Sequence, residues 1–406
     1  MWLAGGLLLL LSEVLALNIS LVPFSNNVWD VNYPSRRSNV RRQRAIPADT
    51  PFPCQSAVPW GRSRQRPTSV HRLRPGDIDV VAAIGDSLVA GSGALEEFAL
   101  GAIVEYRGVS WCAGGDSTWR EFLTLPNILK EFNPNLRGYS TGTGEWLARS
   151  AGLNVAFPVA SDQDAYRQAK ILVARIRSAP DIDVSRDWKM ITVFIGANDL
   201  CSASCLSPVA WSPAAHARKL ARALDYLHRH LPRTIVNLIP VLDVSVSVRV
   251  RRPLMCRLMH PLFCTCFHRG GGELPDLVRQ ARRYQAAEEA LVESGRYDTR
   301  EDFTVVVQPF MRLFNAPLPP TPPLPLVIHQ SYITHDCFHF SQKGHALAAN
   351  LLWNNLLEPV GGKSDDAPPV LMHSFRCPTP RAPYIFTRNN SRTFLDTGRQ
   401  DGALDT

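Results

Sequence analysis

The strongest constraint on this chain is an alternation. Short apolar runs rich in β-branched residues are separated by stretches of helical period. The runs are Val80–Ile84, Leu153–Phe157, Met190–Ile195, Thr234–Leu238 and Phe303–Gln308. Between them, residues 164–176 place Ala165, Ala169, Leu172, Val173 and Ile176 on one helical face, and helices are predicted over Ala214–Leu231, Leu274–Ser294 and Gly344–Leu357. A strand apolar on both faces has to be covered on both faces. Strands joined through helices run parallel, because a tight hairpin cannot connect them. The predicted fold class is therefore α/β, a three-layer sandwich with a mostly parallel central sheet. At 406 residues and 45% apolar content the chain can build such a core.

The segments outside this pattern set the domain plan. Residues 1–16 carry Leu7 to Leu11 and read as a signal peptide, too short to span a bilayer. Residues 17–75 lack periodicity and read as a basic, Pro/Arg-rich tail, residues 76–360 as the main α/β domain, and residues 361–406 as a polar C-terminal extension. The net charge of +8 is concentrated early, with ten arginines and one acid between Arg36 and Arg74. That tail reads as a solvated leader or as an element attracted to anionic lipid or glycan surfaces. Arg41-Arg42-Gln43-Arg44 marks a processing site at which the leader would be removed. No later run is long enough for a membrane span, so the expected location is secreted or lumenal, without an anchor.

Nine cysteines fit an oxidising compartment and leave one unpaired. Cys201 and Cys205 are spaced to close a small loop. Cys256, Cys264 and Cys266 cluster beside His260 and His268, as disulfides rather than a zinc site. Asn18-Ile19-Ser20 and Asn389-Asn390-Ser391 are glycosylation sequons.

The chemistry lies where strands end. Ser87 follows the first run directly in Ile84-Gly85-Asp86-Ser87-Leu88. Asn198 follows the third in Gly196-Ala197-Asn198-Asp199. The turn Asn154 to Ala160 leaves the second, and Asp336-Cys337-Phe338-His339 follows the fifth. Parallel α/β sheets collect active-site residues at this C-terminal edge. A serine hydroxyl needs a base, an orienter for that base, and donors for the oxyanion it creates. These four blocks contain all of those parts. Asp86 reads as a helix cap, Asp199 as structural, His345 as packing, and Trp111, Trp119 and Trp146 as aromatic core or a lipid-acyl lining.

In this order the blocks resemble the GDSL lipase/esterase group with its Ser-Gly-Asn-His hydrolase, flavodoxin-like fold. The segments Pro67–Ile78, Tyr106–Trp111, Thr124–Leu129 and Asp336–His345 are similar to a catalytic repeat of the membrane-associated phospholipase B group. The resemblance implies that Ser87 is the nucleophile, His339 the general base and Asp336 its orienter. It implies an oxyanion hole formed by the Ser87 N–H, the Val159 N–H and the Asn198 side chain. It also implies glycerophospholipid, lysophospholipid or other lipid ester substrates, and no metal or cofactor. A nucleic-acid partner is not expected; peripheral membrane contact is.

Three departures stand out. Val159 occupies a position where the family carries glycine, and a β-branched residue resists glycine's φ/ψ. One repeat is present, without a visible anchor. Cys112 stands where a serine-like residue is expected, as a candidate for the unpaired thiol. Two alternatives stay open: a non-catalytic lipid-binding protein on the same fold, and an esterase for small acyl esters.

Overall fold

A computed structural model describes residues 40–55, 59–249, 256, 258, 260, 264–267, 273–317, 329–366, 368 and 370–402. The expected signal peptide and the Asn18 sequon lie outside the described residues.

Four strands, β1 (Val80–Gly85), β2 (Lys189–Phe194), β3 (Thr234–Leu238) and β4 (Phe303–Val307), form one sheet in the order β1-β2-β3-β4. All neighbours are parallel, with Val80 opposite Lys189, Lys189 opposite Thr234, and Thr234 opposite Phe303. The pleat sends alternate side chains into two cores. Val81, Ala83, Met190, Ile235 and Val306 join one, with α2 (Leu125–Phe132) and α7 (Gln342–Leu356). Val80, Ala82, Ile84, Ile191, Val193 and Val236 join the other, with α3 (Ala165–Ser178) and α5 (Pro213–His230). Each large apolar side chain removed from water contributes about 1.5–3 kcal/mol, so this two-sided burial is what imposes the three layers.

The run Leu153–Phe157 is not a full strand. It makes a single parallel bridge, Asn154 to Ala83, at the outer edge of β1. The backbone groups of this segment are used elsewhere: the buried Arg107 guanidinium donates to the carbonyls of Asn154 and Ala156, and the Ala156 N–H donates to Asn154 Oδ1.

From residue 40 onward the basic segment is part of the packed domain rather than an extended tail. The Gln43 N–H donates to Gln342 Oε1 at 2.6 Å, its side-chain amide donates to the carbonyls of Trp119 and Arg120, and its Oε1 accepts from Leu123 N–H. Arg41 Nε donates to the Ile333 carbonyl, and Val70 and Leu73 are buried. Composition hid this because a few side chains, not the average, do the docking. The C-terminal extension is likewise held, by the Cys54–Cys377 disulfide, by a Trp353 ring N–H bond to the Arg376 carbonyl, and by buried Ile385 and Phe386.

Candidate active site

The turn after β1 is shaped by close approach. A Cβ on Gly85 would meet Val89 Cγ2 at 2.4 Å and the Phe194 carbonyl at 2.6 Å. Gln168 locks the same residue by accepting from its N–H and donating to its carbonyl, both at 2.8 Å. Asp86 then caps α1 (Ser87–Ala90) by accepting from Leu88 N–H at 2.9 Å, which places Ser87 on the first turn with 5% of its surface exposed. The other Asp86 carboxylate oxygen has no hydrogen-bond partner among the described residues, and burial pushes the group up to about 7.

Asp336 and His339 are built as one unit. Asp336 Oδ2 lies 2.5 Å from His339 Nδ1, while Oδ1 accepts the backbone N–H groups of Phe338 and His339 and the Thr334 hydroxyl. Burial would raise the Asp336 carboxyl, but His339 and these donors outweigh it and hold the group well below the usual range. Burial would lower His339, and Asp336 outweighs it, so the imidazole titrates above its ordinary value. Asp86 and His339 lie within electrostatic reach of each other, so this loop and the Ser87 turn are neighbours. Two further contacts hold them there. Gln342 N–H donates to the Ala94 carbonyl at 2.8 Å, and Trp111 donates from its backbone to His345 and from its ring to the Leu88 carbonyl.

The oxyanion candidates sit on adjoining turns. Val159 keeps the left-handed backbone of a glycine, at φ 65°, with the residue 79% exposed. Asn198 lies in the first turn of α4 (Ala197–Ser202), and its amide donates to the Ala160 carbonyl at 2.9 Å. One of its two N–H groups is therefore used to tie α4 to the Val159 turn.

Disulfides staple the loops behind the site. Cys201 pairs with Cys264 and Cys205 with Cys266, so the expected Cys201–Cys205 loop does not form. Cys256 pairs with Cys337, inside the Asp336–His339 loop, and His260 Nε2 lies 3.1 Å from the Asp336 carbonyl. One short segment thus links the residues after Asn198 to the residues around His339, and none of its three cysteines is a metal ligand. Cys112 is the free cysteine, buried, with its thiol pushed up by burial and hence unreactive. Trp111 and Trp119 are core, and His345 is a buried packing residue held neutral by burial, down to about 3.

A buried polar group at this edge is not evident from motifs: Asp162, His216 and Glu288, with Lys219 at its rim. Its signal was present in α5, where His216 shares the apolar stripe with Leu220, Ala223 and Leu227. A polar residue on such a stripe has to find partners.

A parallel three-layer α/β sheet with Ser, Asn and Asp-x-x-His blocks at its C-terminal edge defines a class of acyl-ester hydrolase folds. The family model of the GDSL-like lipase/acylhydrolases matches residues 81–352, and the chain belongs to that family. It is 40% identical over 377 residues to rat "Phospholipase B1, membrane-associated", covering 91% of this chain and 25% of the relative. The mouse protein of the same name is 42% identical over 83% of this chain and 23% of its own length. The human one is 40% identical over 84% and 23% respectively. The chain thus spans about a quarter of the length of these relatives.

Proposed function

We propose that this chain is a serine ester hydrolase that releases fatty acid from glycerophospholipids and lysophospholipids. The observation that carries this reading is the Asp336–His339 pair, with Asp336 buried and its other oxygen accepting three hydrogen bonds, on a loop within electrostatic reach of the Ser87 turn. In this mechanism neutral His339 takes the Ser87 proton as the hydroxyl attacks the ester carbonyl. The tetrahedral oxyanion is met by the N–H of Ser87, the N–H of Val159 and the second amide N–H of Asn198. Imidazolium His339 then protonates the leaving lysophospholipid or glycerophosphodiester alcohol. Water, activated by the same imidazole, hydrolyses the acyl-serine and restores the hydroxyl. The triad needs no metal or cofactor.

The named relatives support a phospholipid substrate. Exposed apolar residues on segments that carry or follow the Ser87, Val159 and Asn198 turns support contact with a lipid surface. Phe98, Leu100 and Ile103 on the segment after α1, Val159 on its turn, and Leu206 and Val209 after α4 are all exposed. Four disulfides support a secreted or lumenal protein, and no helix among the described residues is long and apolar enough to cross a membrane. The exposed Asn389 sequon supports glycosylation there.

Val159 favours a second reading, a lipid-binding protein without turnover. Its glycine-like φ keeps the backbone N–H in the orientation a glycine would supply, which supports activity over that alternative. The test is fatty-acid release from phosphatidylcholine micelles by wild type beside Ser87→Ala. Release abolished in the variant supports the hydrolase. A folded wild type that releases nothing and takes no fluorophosphonate label at Ser87 supports the lipid binder.

A further inference from the structure

We propose that His216 is a positioning residue for the oxyanion side of the site, acting through Asp162 and Asn198. This inference rests on the proposed hydrolase reading and deepens it. The imidazole is fully buried, with 0% of its side chain exposed, and belongs to the helix after Asn198. Its Nδ1 is 3.2 Å from Asp162 Oδ2 and its Nε2 is 3.1 Å from Glu288 Oε1. Both neighbours are carboxylates, so an imidazolium with two N–H donors satisfies both at once.

Each contact of this group reaches a different active-edge loop. Asp162 is three residues beyond Val159, and its N–H donates to Asp199 Oδ2 at 3.0 Å, beside Asn198. Asn198 in turn donates to the Ala160 carbonyl, closing a ring between the two oxyanion turns. The His216 ring also occupies the space next to Gly196, the residue that starts α4 at φ 125°. A Cβ there would meet its Cε1 at 2.9 Å. Glu288 reaches the turn after β3, where its Oε2 accepts from Val241 N–H at 2.9 Å. Lys219 anchors the remaining Asp162 oxygen at 2.7 Å, and the Tyr284 ring covers the imidazole at 4.4 Å between centroids. One side chain therefore sets the spacing of three loops, two of which carry oxyanion donors. Small displacements of such donors are felt in the transition state more than in substrate binding.

The test measures kcat and KM on a short-chain p-nitrophenyl ester, per site labelled to completion by a fluorophosphonate. The variants are His216→Gln, Lys219→Met, Asn198→Ala and His216→Gln/Asn198→Ala, beside Ser87→Ala. In His216→Gln kcat is expected to fall roughly 10- to 100-fold, less than the 100- to 1,000-fold for loss of an oxyanion donor, with KM within about twofold. In Lys219→Met, at the partly exposed rim, kcat is expected to fall about threefold by the same route. The double variant is expected to fall well short of additivity, because a large part of the His216 effect runs through the Asn198 donor.

An unchanged kcat per labelled site, or a fully additive double variant, makes the network merely structural and overturns the inference. If His216→Gln does not fold, Lys219→Met alone decides: a fall in kcat supports the role and an unchanged kcat refutes it. A wild type that neither turns over nor labels at Ser87 is a separate outcome, in which the hydrolase reading fails and the positioning role falls with it.

Discussion

Asp336 holds His339 through Oδ2 and Nδ1 at 2.5 Å, across a loop in which Cys337 adopts φ 60° and is tied to Cys256. The same carboxylate receives the N–H groups of Phe338 and His339 on its other oxygen. The loop is thus folded around the Asp336 charge, and Asp336 and His339 form a single local structure.

That relationship predicts a pH effect. In the proposed mechanism His339 must be neutral to accept the Ser87 proton, and Asp336 raises its pKa against the opposing effect of burial. Activity should therefore fall as pH drops through this raised value. Asp336→Asn removes the raising cause and leaves burial, so the acid limb of kcat/KM should move to lower pH. By analogy with other serine hydrolases, kcat should drop about 10⁴-fold. An acid limb that does not move would assign the limb to another group.

Val159 at φ 65° carries backbone strain that glycine does not. A non-glycine residue in the left-handed region costs on the order of 1–3 kcal/mol, partly offset by the ~0.4–1 kcal/mol of unfolded-chain entropy that glycine adds. Val159→Gly is expected to gain about 1 kcal/mol of stability and to raise turnover, since the oxyanion turn relaxes without losing its N–H. Denaturant unfolding and kcat on micelles check the two halves separately.

The disulfides divide by position. Losing a native disulfide costs typically 2–5 kcal/mol. The paired replacement Cys256→Ser/Cys337→Ser should lower both Tm and kcat, because it frees the loop that holds Asp336. Cys54→Ser/Cys377→Ser should lower Tm with kcat retained well below the melting range, because it joins segments away from the triad. Equal kcat in the two variants would show that the catalytic loop holds its shape without the staple.

His216 also predicts a stability profile. Burial lowers its pKa, and the bonds to Asp162 and Glu288 outweigh this and push it up to about 9. A folded value above the ordinary one means that its contribution is full below about pH 6.5 and is lost as pH rises through about 9. Wild type should lose more Tm than His216→Gln between pH 7 and 10. Equal losses would place the decline in groups other than His216.

Much of this was legible in the chain alone. The alternation of apolar runs with helical stripes determined a parallel α/β sheet, because both strand faces had to be buried. The positions of Ser87 and Asn198 just after strands, and of Asp336-x-x-His339 in the loops beyond the last strand, led to the expectation of one shared active edge. Local chemistry also sufficed for the Asp86 cap, and the departure from the family pattern pointed to Cys112 as the unpaired thiol. What depends on distant segments was not legible. The run at Leu153–Phe157 looks like a strand until Arg107 takes its carbonyls. The segment at Gln43 looks like a leader until Gln342 and Leu123 bind it. Cys201 and Cys205 look like partners until Cys264 and Cys266 arrive from another loop. His216 looks like one polar residue on an apolar stripe until three chain segments converge on it. Periodicity and spacing act within a few turns of chain, so the sequence by itself determined the layers and the chemical types; only the tertiary structure decided which far-apart side chains share a hydrogen bond, and hence how the site is held.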